Sequence, residues 1–412
     1  MKGFIKKYTE TSLIIRILIG LIIGAVLGLL VPKASFIGIP GSIFIGALKA
    51  VAPVLVALLV CFSIAKAGEG IGARFKTVII LYLSTTLIAA IFAVFASKLF
   101  PITIQLTGEG SYDAPSGLYE IFENLLVNVV ANPVNAVANG NYLSILFWAI
   151  VFGLALKLVA NEKTLNVLSD FSDAVSKTVS WVIQFAPIGI MGIMFTNIST
   201  NGLSIFLDYG KLILLLVGTM LFVALIINPI IVAIILKRNP YPLVFKCLKQ
   251  SGVPAFFTRS SAANIPVNMQ LCEELGIDKD FYSVSIPLGS TINMDGAAVT
   301  ITIMSLAAAN TLGINVPLPI AIVLSIISTL GACGTSGVAG GSLLLVPMAC
   351  SLIGISADIS MQVVAVGFII SVIQDSIETA LNSSGDVIFT ATAEYYDLEK
   401  FKRKKANEKN NS

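Results

Sequence analysis

One apolar stretch near the C-terminus carries Asp375, Glu378, Thr379, Asn382 and Asp386. Their offsets from Asp375 are three, four, seven and eleven, which on an α-helix fall within an arc of roughly 100°. One narrow face therefore holds three carboxylates, an amide and a hydroxyl. Ile370, Ile373, Ile377, Ala380 and Leu381 form the apolar face opposite. A charge at the middle of a membrane helix costs about 2.5–3.5 kcal/mol on insertion scales. A water-facing helix end accounts for a lone acid, but three on one face call for cations. Carboxylate, amide and hydroxyl oxygens suit a hard cation, and a carboxylate also suits an organic ammonium.

A second cluster, Thr291-Ile-Asn293-Met294-Asp295-Gly296, lies in another apolar segment. Asn293, Asp295 and Gly296 would unwind a helix locally and bare carbonyl oxygens, although a kink without a ligand is the plainer alternative. Tyr82, Ser84, Thr85 and Thr86 form a third cluster, and such hydroxyls in helices more often bond back to their own backbone than bind a ligand. Two further segments have polar centres. Thr258-Arg-Ser-Ser-Ala-Ala-Asn-Ile-Pro266 lies within Val244–Leu275, and Gly331-Ala-Cys-Gly-Thr-Ser-Gly-Val-Ala-Gly-Gly-Ser342 lies within Leu318–Ile353. Each reads as two half-length helices meeting at a Ser/Gly-rich tip, a re-entrant hairpin. Irregular backbone at membrane depth survives against protein or water, and a pair of interrupted segments points to a transporter binding site. Ser260, Ser261 and the glycines around Gly337 offer free N–H groups at half-helix N-termini, where a carboxylate is favoured. With Asp375 taking an ammonium, these parts describe a site for an α-amino acid.

The elements that must position these residues follow from composition. Of 412 residues, 56% are hydrophobic and 12% charged, about half the charge of a soluble chain, so lipid is the expected solvent. Ile17–Val31, Ile43–Ile64, Val78–Leu99 and Leu212–Leu236 approach or exceed the roughly 18 residues of a membrane span. Gly20, Gly24 and Gly28 recur every four residues and predict close helix packing. The run Tyr119–Ala160 is broken by Asn128, Asn132-Pro133 and Asn139-Gly140-Asn141 and reads as a segmented span.

Basic residues cluster at span ends. Lys2, Lys6 and Lys7, then Lys66, Arg74 and Lys76, then Lys157 and Lys163, then Lys237, Arg238, Lys246 and Lys249, and the tail from Lys400 to Lys409 fall on one side; Glu109, Asp113 and Glu120 fall on the other. That pattern places both termini in the cytoplasm and requires an even number of crossings. It is not a nucleic-acid footprint. The basic N-terminus reads as leading into a retained first span rather than a signal peptide. The five cysteines, Cys61, Cys247, Cys272, Cys333 and Cys350, read as reduced packing residues. There is no histidine to act as a proton relay.

These motifs resemble the dicarboxylate/amino acid:cation symporter family. The resemblance rests on the serine-rich tip at 258–266, on Asn293-Met-Asp-Gly296, on Gly337-Val-Ala-Gly-Gly341, and on Asp375-x-x-Glu378-Thr379-x-x-Asn382-x-x-x-Asp386. It is specific over about Phe256–Ala393 and weaker elsewhere. It implies an all-α polytopic membrane protein of eight transmembrane helices and two re-entrant hairpins. It also implies a homotrimer in a bacterial plasma (inner) membrane that works by an elevator movement. The substrate set would be Ser260, Ser261, Gly337, Val338, Asp375, Glu378, Thr379 and Asn382, with Asp375 on the amino group and Asn382 and the hairpin serines on the carboxylate. Coupling Na⁺ ions would use Asn293, Asn382 and Asp386 at one site, and Thr291 with second-hairpin carbonyls at another. Tyr82, Thr85, Thr86, Asn293 and Asp295 would make a third.

The implied division assigns 1–75 (spans 1–2) and 118–211 (the segmented span 4 and span 5) to a scaffold. Residues 76–117 (span 3) and 212–243 (span 6) go to a transport domain. The first hairpin is 244–280, span 7 is 281–317, the second hairpin is 318–355, span 8 is 356–397 and a basic cytoplasmic tail is 398–412. One departure bears on the substrate. Glutamate transporters of the family carry an arginine at or near the position of Glu378, so the chain looks closest to the serine/threonine:sodium branch. Arg259 is a rival cation, expected to be occupied by Asp375 or Glu378. Two other readings compete with a sodium-coupled symporter of serine and threonine: an acidic amino acid or dicarboxylate symporter using Arg259, and an ion channel lined by the same acids. An enzyme is disfavoured, because no nucleophile–base pair or nucleotide loop is visible.

Overall fold

The computed structural model describes residues 11, 13–66, 73–106, 130–202, 205–333 and 340–410, as backbone alone beyond Leu398. The described elements are helical. Among the described residues, five helical stretches are long and apolar enough to cross a membrane: Ser35–Phe62, Arg74–Leu99, Leu207–Leu236, Lys279–Thr311 and Ala357–Leu398. The pair Glu162–Gln184 and Ala186–Thr200, bent by 53°, makes a sixth if counted as one span. Shorter apolar helices include Ile15–Leu30, Ser144–Val159, Leu318–Ala332 and Ser342–Leu352.

Glycine spacing decides the packing of the N-terminal helices. A Cβ at Gly20 would stand 2.1 Å from the Pro187 carbonyl oxygen, and one at Gly24 would stand 2.3 Å from that of Met191. The first helix, Leu13–Leu30, therefore lies backbone to backbone on Ala186–Asn201. Ile39–Lys66 packs on Tyr142–Val159, Glu162–Gln184 and Ala186–Asn201. The segmented run is as expected where it is described. Asn132 caps the short helix Pro133–Asn139, Gly140 turns the chain at φ 65°, and Asn141 caps Tyr142–Val159. Asn128 lies outside the described residues.

The remaining helices pack around the final one, Ala357–Asn410. Ala73–Leu99, Ile205–Phe222, Lys279–Ile292 and Asp295–Thr311 all touch it. The first interrupted segment runs from Tyr241 through a π-turn at Leu248–Gly252 to Thr258, turns at Arg259–Asn264, and returns as Ile265–Glu274. Its ends meet, with Lys246 Nζ 3.6 Å from a Glu274 carboxylate oxygen, so the segment is a helical hairpin. The second has limbs Leu318–Ala332 and Ser342–Leu352, the latter opening as a 3₁₀ turn. Its tip at 334–339 lies outside the described residues. The two groups of helices meet where the Phe44 ring packs edge-on to Phe368, 5.3 Å between centroids. All five cysteines are free thiols.

At one end of the second group, Arg74 ties three elements together. Its Nη1 stands 3.2 Å from Asp278 and 3.1 Å from Glu394, and its guanidinium lies over the Phe281 ring. The Arg74 hydrogen bond, helped by the Asp280 N–H, holds the Asp278 carboxyl below the usual carboxylate range. A carboxylate depressed in this way stabilises the fold above its ordinary pKa of about 3.9. That contribution disappears as pH falls through the lower, folded value. Glu394 is only 5% exposed, so removing the guanidinium leaves a buried charge unpaired. Arg74→Gln is expected to lower stability by about 1–2 kcal/mol at neutral pH and to shrink the acid-side loss below about pH 4. Melting curves of the purified protein from pH 3 to 8 test this, and an unchanged midpoint at pH 7 would contradict it.

Candidate functional site

The site forms where three helices approach closely. The helix Lys279–Ile292 ends at Asn293, Asn293 and Met294 adopt non-helical angles, and a new helix starts at Asp295. The break expected at Asn293–Gly296 is therefore present. Glycines open room around it. A Cβ at Gly296 would come within 2.9 Å of the Glu378 backbone, one at Gly385 within 2.7 Å of Asn293 Nδ2, and one at Gly289 within 2.8 Å of the Tyr82 hydroxyl.

One group of oxygens gathers at Asn293 and Asp386. Asn293 Nδ2 donates to the Asn382 carbonyl and to Asp386 Oδ1, both at 3.0 Å. The Gly296 N–H, freed by the break, donates to Asn382 Oδ1 at 2.7 Å. Asn293 Oδ1 and Asp386 Oδ2 are buried with no hydrogen-bond partner. Two buried acceptors without a donor, on side chains joined by the Asn293–Asp386 hydrogen bond, are what a cation would satisfy. The residues present therefore fit a hard cation.

A second group lies on the other side of the break. Thr86 Oγ1 donates to Asp295 Oδ1 at 3.1 Å and accepts from the Met294 N–H at 3.1 Å. Asn228 Nδ2 donates to Asp295 Oδ2 at 3.0 Å. The Tyr82 hydroxyl sits 2.8 Å from Thr390 Oγ1 and within 3.2 Å of the Ser285 and Asp386 carbonyls. Thr85 bonds back to the Tyr82 carbonyl, the ordinary behaviour of helical hydroxyls, and Thr86 Oγ1 also stands 2.9 Å from that carbonyl, so its single proton is shared between it and Asp295 Oδ1 at the break. Thr291 bonds to Leu288 within its own turn and does not join these two groups. Cys333, at the end of the second hairpin's first limb, faces the neighbouring Ile292 carbonyl at 3.7 Å.

The third group surrounds Asp375. Arg259 takes a left-handed conformation at φ 52° where the first hairpin's descending helix ends, and its Nε donates to Asp375 Oδ2 at 2.6 Å. Both side chains are buried, so the rival cation pairs with Asp375. The Gly340 N–H, at the second hairpin, faces the same carboxylate. Glu378 takes other partners. Its Oε2 accepts from Thr300 at 2.7 Å, from Ser342 at 2.9 Å, and from Gln374. Thr379 bonds back to the Asp375 carbonyl. Ser260 Oγ accepts from the Ala263 N–H, and Ser261 is buried at the tip. Gly337 and Val338 lie outside the described residues.

Several site residues escaped the sequence reading. Thr300, Ser342 and Gln374 bind Glu378, and Asn228 binds Asp295. A buried network of Ser251, Asn264, Asn268 and Ser383 holds the first hairpin to the final helix, with Asn264 Nδ2 2.8 Å and Asn268 Nδ2 3.0 Å from Ser383 Oγ. Asn264, at the end of the turn, and Asn268, in the first turn of the returning limb, are four residues apart, a signal that spacing alone could have given. Asn228 was marked by the Pro229 beside it in an otherwise apolar span.

The chain matches the profile of the sodium:dicarboxylate symporter family over residues 13–395. It is 60% identical over 397 residues to a protein of Bifidobacterium adolescentis named serine/threonine transporter SstT, covering 96% of this chain and 92% of that one. It is 58% identical to a protein of the same name from Streptococcus agalactiae and 56% identical to one from Streptococcus thermophilus, each covering 96% of this chain and 98% of the relative. The broken helix at Asn293, the paired hairpins and the acids of the final helix thus sit in a chain that belongs to the sodium:dicarboxylate symporter family.

Proposed function

We propose that the chain is a Na⁺-coupled secondary active symporter that imports L-serine and L-threonine. The observation that carries the reading is the set of buried acids with neutral donors and unpaired oxygens, Asp386 with Asn293 above all. Such carboxylates need cations brought from outside the chain. The names of the relatives support the substrate. In this reading Asp386, Asn293 and Asn382 hold one Na⁺, and Asp295 with Thr86, Thr85, Tyr82 and Asn293 holds another. Thr291 and second-hairpin carbonyls hold a further one. Arg259 occupies Asp375 as a stand-in for an ammonium, and the substrate's α-ammonium displaces it. The substrate carboxylate goes to Asn382 and to the hairpin tips at Ser260, Ser261, Gly337 and Val338, with Thr379 nearby.

Glu378, one turn from Asp375, gives the site its charge preference. An acidic side chain would meet a fixed carboxylate in a medium where like charges 4 Å apart cost about 4 kcal/mol at an effective dielectric near 20. A hydroxyl can donate to it. This favours the neutral-substrate reading over an acidic one that would rely on Arg259. We further propose eight crossings and two re-entrant hairpins, with both termini cytoplasmic in the bacterial inner membrane. The helices packed on Ile39–Lys66 form the trimer scaffold, and those packed on the final helix move as an elevator.

Radiolabelled serine uptake into proteoliposomes tests the function. Uptake should saturate and stop without a Na⁺ gradient; non-saturating flux would mark a channel. Asp375→Asn is expected to weaken serine binding about 100-fold, the cost of truncating a buried hydrogen-bonded charge pair, and unchanged affinity would overturn that role. Asp386→Asn should raise the Na⁺ concentration for half-maximal uptake about tenfold, and an unchanged Na⁺ dependence would remove the ligand assignment. Unlabelled aspartate should fail to compete with serine in the wild type, whereas Glu378→Gln, which keeps the shape of a group held by three donors, should let it compete. Competition by aspartate at micromolar concentration in the wild type would favour an acidic substrate.

A further inference from the structure

Asn228 sits at a doubly irregular point of an apolar span. The five residues before it, Val223–Ile227, form a π-turn, and the Asn228 N–H reaches back to the Val223 carbonyl. Pro229 follows and has no N–H to offer, so the Leu225 carbonyl four residues earlier loses its helical donor. The Tyr241 hydroxyl, from the start of the first hairpin, supplies a donor at 3.2 Å. A π-turn and an interior proline each disfavour a helix, and π-turns collect at functional sites because they re-aim one residue. Here the re-aimed residue is Asn228, 1% exposed among Val223, Ala224, Ile227 and Val232.

Its amide is half satisfied. Nδ2 donates to Asp295 Oδ2 at 3.0 Å, while Oδ1 is buried without a partner. The two amide atoms share one carbon, so the unpaired oxygen lies within a few ångström of Asp295 Oδ2. Asp295 itself receives neutral donors, Thr86 on one oxygen and Asn228 on the other. An unpaired amide oxygen beside a buried carboxylate sets acceptor against acceptor, and a leucine at this position would be easier to bury.

We propose that Asn228 is a positioning residue of the Asp295 cation site. Its Nδ2 fixes one carboxylate oxygen while Thr86 fixes the other, and its free Oδ1 adds an oxygen to the wall that meets the ion. The inference rests on the reading above that Asp295 holds Na⁺. It extends the site to the Leu207–Leu236 span, so that an ion there is held between this span, the Arg74–Leu99 span and the break in Lys279–Thr311.

The test is Na⁺-dependent thermal stabilisation of the purified protein without amino acid, with choline chloride keeping ionic strength constant. Asn228→Leu is expected to raise the Na⁺ concentration for half-maximal stabilisation about tenfold, as for loss of a hydrogen bond to a charged group. Its melting midpoint in choline alone should change little, because losing the unpaired oxygen offsets losing the donor to Asp295 Oδ2. A Na⁺ titration that matches the wild type overturns the proposal. If Asn228→Leu cannot be purified, Asn228→Asp decides. It keeps the shape but turns the donor into an acceptor against Asp295, so the midpoint should fall in choline and recover with Na⁺. A deficit that is the same at every Na⁺ concentration would mean a merely structural residue and overturn the proposal. Asp295→Asn runs alongside. If it shifts the titration and the Asn228 variants do not, this inference alone fails; if it leaves the titration unchanged, the reading of Asp295 as a cation ligand fails and the inference with it.

Discussion

Charge that cannot be left alone organises the second half of this chain. Asp295, Asp375, Glu378 and Asp386 are buried in helices whose outer faces are apolar. Water cannot solvate them there, and neutral donors spread a carboxylate's charge without cancelling it. Arg259 meets Asp375. The other three take hydrogen bonds from the neutral groups of Thr86, Asn228, Asn293, Thr300, Ser342 and Gln374. Each of these donors is a polar group in an apolar helix and would itself be costly to bury without a partner. The acids and their donors are therefore mutually required, and neither set has a reason to be present without the other.

That requirement explains why the helices are broken where they are. A continuous helix uses all its interior N–H and C=O groups on itself. The interruption at Asn293-Met294 releases the Gly296 N–H to Asn382 Oδ1 and the Met294 N–H to Thr86. It also brings the side chains of Asn293 and Asp295 to two different clusters. The glycines at 289, 296 and 385 do the complementary work of distance. Each lies where a methyl group would strike a site residue, so the breaks and the small residues form one device that lets backbone and side-chain oxygens converge.

The sequence made the centre of this arrangement legible because its parts lie on single elements. The face shared by Asp375, Glu378 and Asp386 is a matter of helical period, and the broken helix follows from Asn293, Asp295 and Gly296 in one short run. The glycine ladder at 20, 24 and 28 likewise foretold the backbone contact with Pro187 and Met191. What stayed hidden are relations between elements. Nothing in one segment says that Thr300 and Ser342 converge on Glu378, or that Arg259 chooses Asp375 over Glu378. The back-bonding expected of Thr85 and Thr86 was right for both, yet Thr86 has a second partner on a helix some two hundred positions away. The tip residues Gly337 and Val338 lie outside the described residues.

Asn382 shows how the proposed ion and substrate would be coupled. Its carbonyl accepts from Asn293, which also holds Asp386, and its side-chain oxygen accepts from Gly296 at the far edge of the break. The Asn382 side chain is thus oriented by the same segment that lines the cation oxygens. Its Nδ2, spent on the Met294 sulfur at 3.4 Å, is the atom the proposed reading gives to the substrate carboxylate. A thioether is a weak acceptor, and exchanging it for a carboxylate is favourable. An ion that fixes Asn293 against Asp386 would fix the Asn382 carbonyl and, through the ordered break, Gly296. In the proposed reading the ion would therefore lower the cost of presenting Nδ2 to the substrate. By reciprocity, a bound substrate stabilises the ion's oxygens by the same free energy. Asp375, seven residues before Asn382 on the same helix, adds the other half of the site at about 10 Å along the axis. One helix so carries the residues at both ends of the proposed linkage.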